Sequence, residues 1–210
     1  MNYFYLHGWL SGPLSNKARF FNRKFTSHGL TLNIPDLNQN DFFHLTLSRQ
    51  IEQVQSLLPA EPVTLIGSSF GALTALWVAE NSPQVERLVL MAPAFNFSEK
   101  SLSKILTQSL MDQWKGQGQV NLEHYAYSRE VPLSYNFVED LRRYDDAHLS
   151  RRLPTLILHG LHDETIPVQA SRNFAASRSW VKLVELDSDH GLASVQDRLW
   201  DEVMQFCGIV

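Results

Sequence analysis

Cysteine is almost absent from the sequence: Cys207 is the only one among 210 residues. One thiol cannot form a disulfide within the chain, so a disulfide-stabilised scaffold is excluded, and we expect a reducing, cytoplasmic location. No apolar run approaches the roughly 20 residues that a membrane-spanning helix requires, which predicts no membrane span. Residues 1–8 also lack the basic start and long apolar stretch that are typical of a secretory signal.

An excess of positive charge is also lacking. Lys and Arg number 18 against 22 Asp and Glu, which gives a formal net charge of −4. This balance provides no field to attract nucleic acid, and we expect no nucleic-acid partner. The basic cluster at 142–152 is interrupted by Asp145 and Asp146 and is typical of a solvated surface. The length fits one domain over residues 1–210, with one core and one active site.

Short apolar runs of β-forming residues alternate with longer amphipathic stretches along the chain. This alternation is expected where helices cross between parallel strands, and it predicts an α/β fold with a mostly parallel sheet of about six strands and helices on both faces. The predicted strands are 3–6, 31–34, 63–66, 87–91, 155–158 and 181–186. The predicted helices are 17–28, 47–58, 72–80 and 193–206.

The interval 93–154, between the fourth and fifth predicted strands, is too long for a simple crossover. We interpret it as a small helical cap inserted into the domain. Apolar residues at helical spacing predict one helix near 102–110 and a second near 137–144. Gly116 and Gly118 mark a looser link between them.

The strongest local motif is Gly67-Ser68-Ser69-Phe70-Gly71, which directly follows strand 63–66 and precedes a helix-forming run. A serine in this context sits on a tight strand-to-helix turn, the nucleophile elbow of α/β enzymes. Glycines are needed on both sides because a Cβ there would collide with the turning chain. The N-terminus of the following helix favours developing negative charge. We therefore predict Ser69 as a nucleophile and assign Ser68 no catalytic role.

A serine hydroxyl needs a base to remove its proton, and the base needs an acid to orient it. Asp163 follows the strand 155–158, and His190 follows the last strand, just before the final helix. All three candidates lie at carboxyl ends of strands, the edge where open parallel sheets build their sites. We predict His190 as the general base and Asp163 as the acid that holds its tautomer.

Two alternatives stay open around Asp163. A shift of one residue changes the direction of a side chain, so neighbouring carboxylates could take its place. These are Glu164, Asp187 and Asp189. His159 and His162 could bind a metal together with Asp163, but the spacing offers no further ligand. We therefore expect no metal and no organic cofactor, and we expect His159 to shape the end of its strand.

The first predicted strand ends in His7-Gly8-Trp9, which leads into a loop rich in serine, glycine and proline. A tetrahedral intermediate needs two convergent N–H groups, and we predict the backbone amides of Trp9 and Phe70 as this oxyanion hole. For His7 we favour a structural hydrogen bond over a catalytic role.

Aromatic residues of the cap are candidates for an apolar acyl pocket, with core packing as the alternative interpretation. They are Trp114, Tyr125, Tyr135 and Phe137. We expect a small-molecule substrate, and the sequence does not predict an oligomeric state.

Taken in chain order, these motifs resemble the α/β-hydrolase superfamily over nearly the whole chain. More narrowly, the sequence resembles the small UPF0227-like (YqiA-type) esterases. The supporting motifs are Tyr5-Leu6-His7-Gly8, Ser11-Gly12-Pro13, Ser15-Asn16-Lys17-Ala18 and Ile34-Pro35-Asp36-Leu37. The resemblance implies a serine carboxylesterase for short acyl esters, with Ser69, Asp163 and His190 as its triad. A thioesterase, a carbon–carbon bond hydrolase and a noncatalytic ligand-binding protein on this fold remain alternatives.

Overall fold

Six parallel strands form the central sheet of the computed structural model, which describes residues 1–209. The strands in chain order are β1 (Asn2–Leu6), β2 (Leu32–Asn33), β3 (Val63–Ser68), β4 (Val85–Met91), β5 (Gln119–His124), β6 (Arg129–Ser134), β7 (Thr155–Gly160) and β8 (Val181–Leu186). The central sheet has the order β2-β1-β3-β4-β7-β8. All of its pairs are parallel, which confirms the predicted α/β fold. The second strand is shorter than predicted.

The helices occupy the intervals between strands, as a parallel sheet requires. They are α1 (Asn16–Ser27), α2 (Leu47–Leu57), α3 (Phe70–Asn81), α4 (Glu99–Ile105), α5 (Gln108–Gln117), α6 (Asn136–Leu141), α7 (Gln169–Ala176) and α8 (Gln196–Cys207). Side-chain caps start three of them: Ser15 Oγ accepts from the Ala18 N–H at 3.3 Å, Thr46 Oγ1 from the Arg49 N–H at 3.1 Å, and Thr107 Oγ1 from the Leu110 N–H at 3.3 Å. Within residues 1–209, no helix has both the length and the apolar character to cross a membrane.

Alternating side chains divide the core between the two faces of the sheet. Leu65 of β3 packs on the face covered by α2 and α3, whereas the adjacent Ile66 packs on the face covered by α1 and α8. On that second face, Phe25 of α1 meets Trp200 of α8 edge to face, with ring centroids 5.3 Å apart. Apolar burial on both faces explains why the central strands read as continuous apolar runs.

Residues between β4 and β7 form the insertion that the sequence predicted, and they contain more than helices. The structure adds a β-hairpin, in which β5 pairs antiparallel with β6 from Gln119 opposite Ser134 to His124 opposite Arg129. Val120 and Leu122 alternate with exposed residues along β5 and point into the core. The hairpin turn is joined to the loop after β1, because the Tyr125 N–H donates to Leu10 O at 3.1 Å.

Arg151 fastens the end of the insertion to the central sheet. Its guanidinium donates to the carbonyl of Ala79, to Ser82 O at 2.6 Å and to Val85 O at 2.6 Å. The planar guanidinium has five N–H donors and can therefore satisfy several carbonyls at once. These carbonyls lie where α3 ends and β4 begins, so one side chain joins the insertion, a helix end and a strand start.

We expect Gly71→Ala to destabilise the protein, because the added Cβ would overlap the carbonyl oxygens of Leu6 and His7. Overpacking of this kind costs about 1–3 kcal/mol. The matched control is Gly116→Ala in α5, where nothing lies within 4 Å of the added Cβ. That variant should be neutral or more stable by roughly 0.5–1 kcal/mol, since alanine is the better helix former. Urea unfolding measures both, and equal effects of the two substitutions would contradict the steric argument.

Candidate active site

Ser69 stands at the sharp turn between β3 and α3. Its φ of 54° and ψ of −118° lie outside the regions that a serine normally occupies. The turn is held because the Ser69 N–H donates to Met91 O at 2.8 Å. The chain also turns tightly there, and a Cβ on Gly67 would overlap the backbone of Gly71 and Ala72. A strained backbone that several surrounding contacts hold in place is typical of functional sites.

His190 joins Ser69 to Asp163. Its Nε2 lies 3.1 Å from Ser69 Oγ, and its Nδ1 lies 2.7 Å from Asp163 Oδ2. Because the carboxylate can only accept, Nδ1 carries a proton and Nε2 is the nitrogen free to accept one. The structure therefore brings together the three residues that the sequence predicts, in the geometry that a nucleophile, its base and an orienting acid require.

The alternative acids lie elsewhere. Within residues 1–209, Asp163 is the one carboxylate with an oxygen inside 4.0 Å of a His190 nitrogen. Asp187 pairs with His162 at 2.8 Å, Asp189 Oδ1 accepts from the Leu192 N–H at 3.1 Å, and Glu164 is exposed to solvent.

The Asp163 carboxylate is saturated with donors. Its Oδ1 accepts from the N–H groups of Thr165 at 2.9 Å and Ile166 at 2.7 Å. Its Oδ2 lies near both His190 Nδ1 and the Nε2 of the buried His159, the latter at 3.1 Å. Burial alone would raise the pKa of Asp163, but the hydrogen bonds from His159, His190 and the backbone hold it well below its usual range. The carboxylate is therefore ionised at neutral pH.

The predicted oxyanion donors lie beside the nucleophile. A Cβ on Gly8 would be 3.3 Å from Ser69 Cβ, so the chain after β1 runs directly past the serine. Among the described residues, neither the Trp9 nor the Phe70 backbone N–H has a hydrogen-bond acceptor. Both amides are therefore available to a substrate oxygen.

His7 makes structural hydrogen bonds, as the sequence predicts. Its Nε2 accepts from the Leu37 N–H at 3.0 Å, so its Nδ1 carries the proton and donates to Gly8 O at 3.0 Å. The C=O and N–H groups of a trans peptide point in opposite directions. His7 therefore fixes the peptide plane that carries the Trp9 N–H.

Lys17 is a neighbour of the site that the sequence analysis did not assign. Its ammonium donates to Ser68 Oγ at 3.0 Å. Burial lowers the pKa of Lys17 to about 8, while the charges of Asp163 and Asp189 raise it. Its sequence signals were its position early in α1 and its place in the Ser15-Asn16-Lys17-Ala18 motif.

The four cap aromatics do not gather around one pocket. Trp114 is fully buried, and its indole N–H donates to Leu133 O at 3.0 Å. Tyr135 donates from its hydroxyl to Glu99 at 3.2 Å. Tyr125 is 73 % exposed and lines an open cleft of about 450 Å³ beside the start of α1. A role for these side chains in substrate binding stays a prediction.

Phe137 is the member of this group that touches the predicted oxyanion residues. Its ring stacks on Trp9 with centroids 5.6 Å apart and an interplanar angle of 8°. It also lies 5.4 Å from the ring of Phe70. The start of α6 therefore packs directly on the two residues that are predicted to supply the oxyanion hole.

No group of three or more His, Cys, Asp or Glu side chains that could hold a metal occurs in the described range 1–209. His162 points to Asp187 rather than joining His159 and Asp163.

A sequence model described as "Uncharacterised protein family (UPF0227)" matches residues 2–207. A Mycoplasma pneumoniae protein named "Putative esterase/lipase 3" is 26% identical over 168 residues, which are 70% of this chain and 61% of that protein. This chain thus spans less than two thirds of the relative's length.

Two solved structures share the fold. One is the mouse alpha/beta hydrolase domain-containing protein 10, with a TM-score of 0.79 and 20% identity over 99% of this chain and 89% of the other. The other is Est1E from Butyrivibrio proteoclasticus with bound ferulic acid, with a TM-score of 0.80 and 17% identity over 98% and 88% of the two chains. At these identities the likeness shows the α/β-hydrolase fold alone.

The lowered pKa of Asp163 predicts a component of stability that disappears in acid. A depressed folded-state pKa contributes stability above the unfolded pKa, which is 3.8, and this contribution is lost as the pH falls through the folded value. We expect Asp163→Asn to have a flatter dependence of the free energy of unfolding on pH below about 4 than the parent protein. Urea unfolding at several pH values measures the difference, and parallel curves would contradict the assignment.

Proposed function

From the membership of this chain in the UPF0227 family, and from the Ser69–His190–Asp163 chain of contacts, we propose that it is a serine carboxylesterase that cleaves small acyl esters. The observation that carries the proposal is the 3.1 Å approach of His190 Nε2 to Ser69 Oγ. The name of the Mycoplasma relative and the hydrolase fold of the structural neighbours support an ester substrate.

The first half of the proposed reaction forms an acyl-enzyme. Ser69 Oγ attacks the ester carbonyl carbon while His190 Nε2 takes the hydroxyl proton. The carbonyl oxygen becomes an oxyanion, which the amides of Trp9 and Phe70 stabilise. The tetrahedral intermediate collapses when the C–O bond to the alcohol breaks, and the alcohol leaves with the proton from His190.

The second half returns the enzyme to its starting state. A water molecule attacks the acyl carbon and gives one proton to His190, and Ser69 leaves with that proton as the acid departs. Asp163 remains ionised throughout and stabilises the imidazolium through Nδ1. The carboxylate is suited to this role because its pKa lies well below the working range.

We propose that the acyl group of the substrate is short. Phe137 and Trp114 are fully buried and stack on each other with centroids 6.1 Å apart, so they leave no apolar channel between them. We also propose a cytoplasmic location, because Cys207 is a free and buried thiol.

A fluorophosphonate probe tests the nucleophile. We expect covalent labelling of the parent protein and none of Ser69→Ala, because only an activated serine attacks the phosphorus. Ser68→Ala is the matched control and should still be labelled, since this hydroxyl bonds Lys17 rather than His190. Gel fluorescence and mass spectrometry of the modified peptide provide the measurement.

An unlabelled protein with native circular dichroism would overturn the proposal and favour a noncatalytic ligand-binding role. Labelling that persists in Ser69→Ala would overturn the assignment of Ser69.

A panel of p-nitrophenyl esters of increasing chain length tests the acyl preference. We expect kcat/KM to be highest for acetyl and butyryl esters and to fall at least tenfold for long chains, because the Phe137 ring packs against Trp9 and Phe70, the two proposed oxyanion residues. Acyl thioesters with the same chains form the comparison series. A kcat/KM that rises with chain length, or that is higher for the thioesters, would contradict the proposed substrate class.

A further inference from the structure

His159 occupies a fully buried position one residue before the end of β7. It lies four residues before Asp163, and its imidazole fills the space between the strand, the loop after it and α7. Its Nδ1 is 2.7 Å from Ser171 Oγ, and its Nε2 is 2.8 Å from Ile166 O and 3.1 Å from Asp163 Oδ2. Every polar atom of this ring therefore has a partner.

The partners determine which nitrogen carries the proton. A carbonyl oxygen can only accept, so Nε2 carries the proton and donates it to Ile166 O, and Asp163 Oδ2 lies 3.1 Å from the same nitrogen. The Ser171 hydroxyl rotates freely and can donate to Nδ1. Ser171 is fully buried in α7, and its bond to Nδ1 fixes the tautomer that places the Nε2 proton beside the acid.

Two imidazoles thus share one carboxylate oxygen. His190 approaches Asp163 Oδ2 at 2.7 Å from the side of Ser69, and His159 approaches the same atom from the protein interior. We propose that His159 is a positioning residue for the reaction, which orients Asp163 toward His190 and limits how strongly the carboxylate attracts the His190 proton. This inference rests on the proposed serine hydrolase function.

His159 acts on Asp163 in two ways, by fixing its position and by reducing its negative charge. Its hydrogen bond to Ile166 O fixes the loop that carries Asp163, and its Nε2 lies 3.1 Å from the carboxylate oxygen. Its N–H also takes up part of the negative charge on Oδ2. Without this donor the carboxylate would stabilise the protonated form of His190 more strongly.

The test compares His159→Leu, which removes the donor, with His159→Gln, whose side-chain amide can place an N–H near the position of Nε2. In His159→Leu we expect kcat to fall about tenfold or more, because a buried carboxylate loses a partner. KM should stay unchanged, because His159 has no contact with the substrate. The acid limb of kcat/KM against pH should move to higher pH by about half a unit or more, because this limb reports His190 in the free enzyme. His159→Gln should restore the limb toward its position in the parent protein.

Other charged and titratable groups face this region, and all are unchanged in the variants. They are Lys17 on α1, His162, Glu164, Asp187 and Asp189 in the two loops, Arg172 on α7 and Glu185 on β8. His44→Leu is the control for loss of an imidazole, because His44 is exposed and pairs only with Asp41. Its pH profile should match that of the parent protein.

A second measurement uses the parent protein and does not depend on the folding of a variant. NMR of the protein with ¹⁵N-labelled histidine reports which ring nitrogens carry protons. We expect a proton on Nε2 of His159, assigned in the parent protein by its nuclear Overhauser effects to the neighbouring Ile166.

The outcomes separate this proposal from the proposed function. The role of His159 alone would be overturned if the parent protein shows Ser69-dependent labelling but the acid limb does not move in His159→Leu. It would also be overturned if Nε2 of His159 carries no proton. An absence of labelling in the parent protein would overturn both. If the fluorophosphonate probe counts fewer active molecules in His159→Leu and the acid limb of its pH profile does not move, His159 is a purely structural residue.

Discussion

Close contact between main chains at the turn around Ser69 is the constraint on which the rest of the site depends. A side chain at Gly71 would overlap the carbonyl oxygens of Leu6 and His7, so the end of β1 lies directly against the start of α3. This contact carries the chain after β1 past Ser69. The same few atoms therefore set the backbone of the nucleophile and the place of one oxyanion donor, and neither can move without the other.

The acid and base loops are joined in the same way. A side chain at Gly160, the last residue of β7, would overlap the carbonyl oxygens of Ser188 and Asp189 in the loop after β8. Asp163 and His190 thus meet because the main chains of their two loops pack against each other. The 2.7 Å contact between His190 Nδ1 and Asp163 Oδ2 then sets the orientation of the imidazole ring.

The sequence predicted the sheet and the three central side chains because each leaves a local signal. Apolar strands stand out from amphipathic helices, and Gly67 and Gly71 frame Ser69 within five residues. The hairpin was not predicted, although Val120 and Leu122 alternate along β5, because such short alternation is easily hidden among polar residues. Helix α7 was missed because its only large apolar side chain is Phe174. The contact of Lys17 with Ser68 joins residues 51 apart, and no local pattern reports such a distance.

The insertion between β4 and β7 is closed by neighbouring strands, since Leu88 lies opposite Thr155, and its exit is fastened by Arg151. Its two ends are therefore held by the sheet rather than by the insertion itself. For a chain segment closed in this way, the entropy of closure grows only with the logarithm of its length, and a doubling costs about 0.6 kcal/mol. Evolution can therefore lengthen or shorten this segment at little thermodynamic expense, provided that Phe137 keeps its place against Trp9.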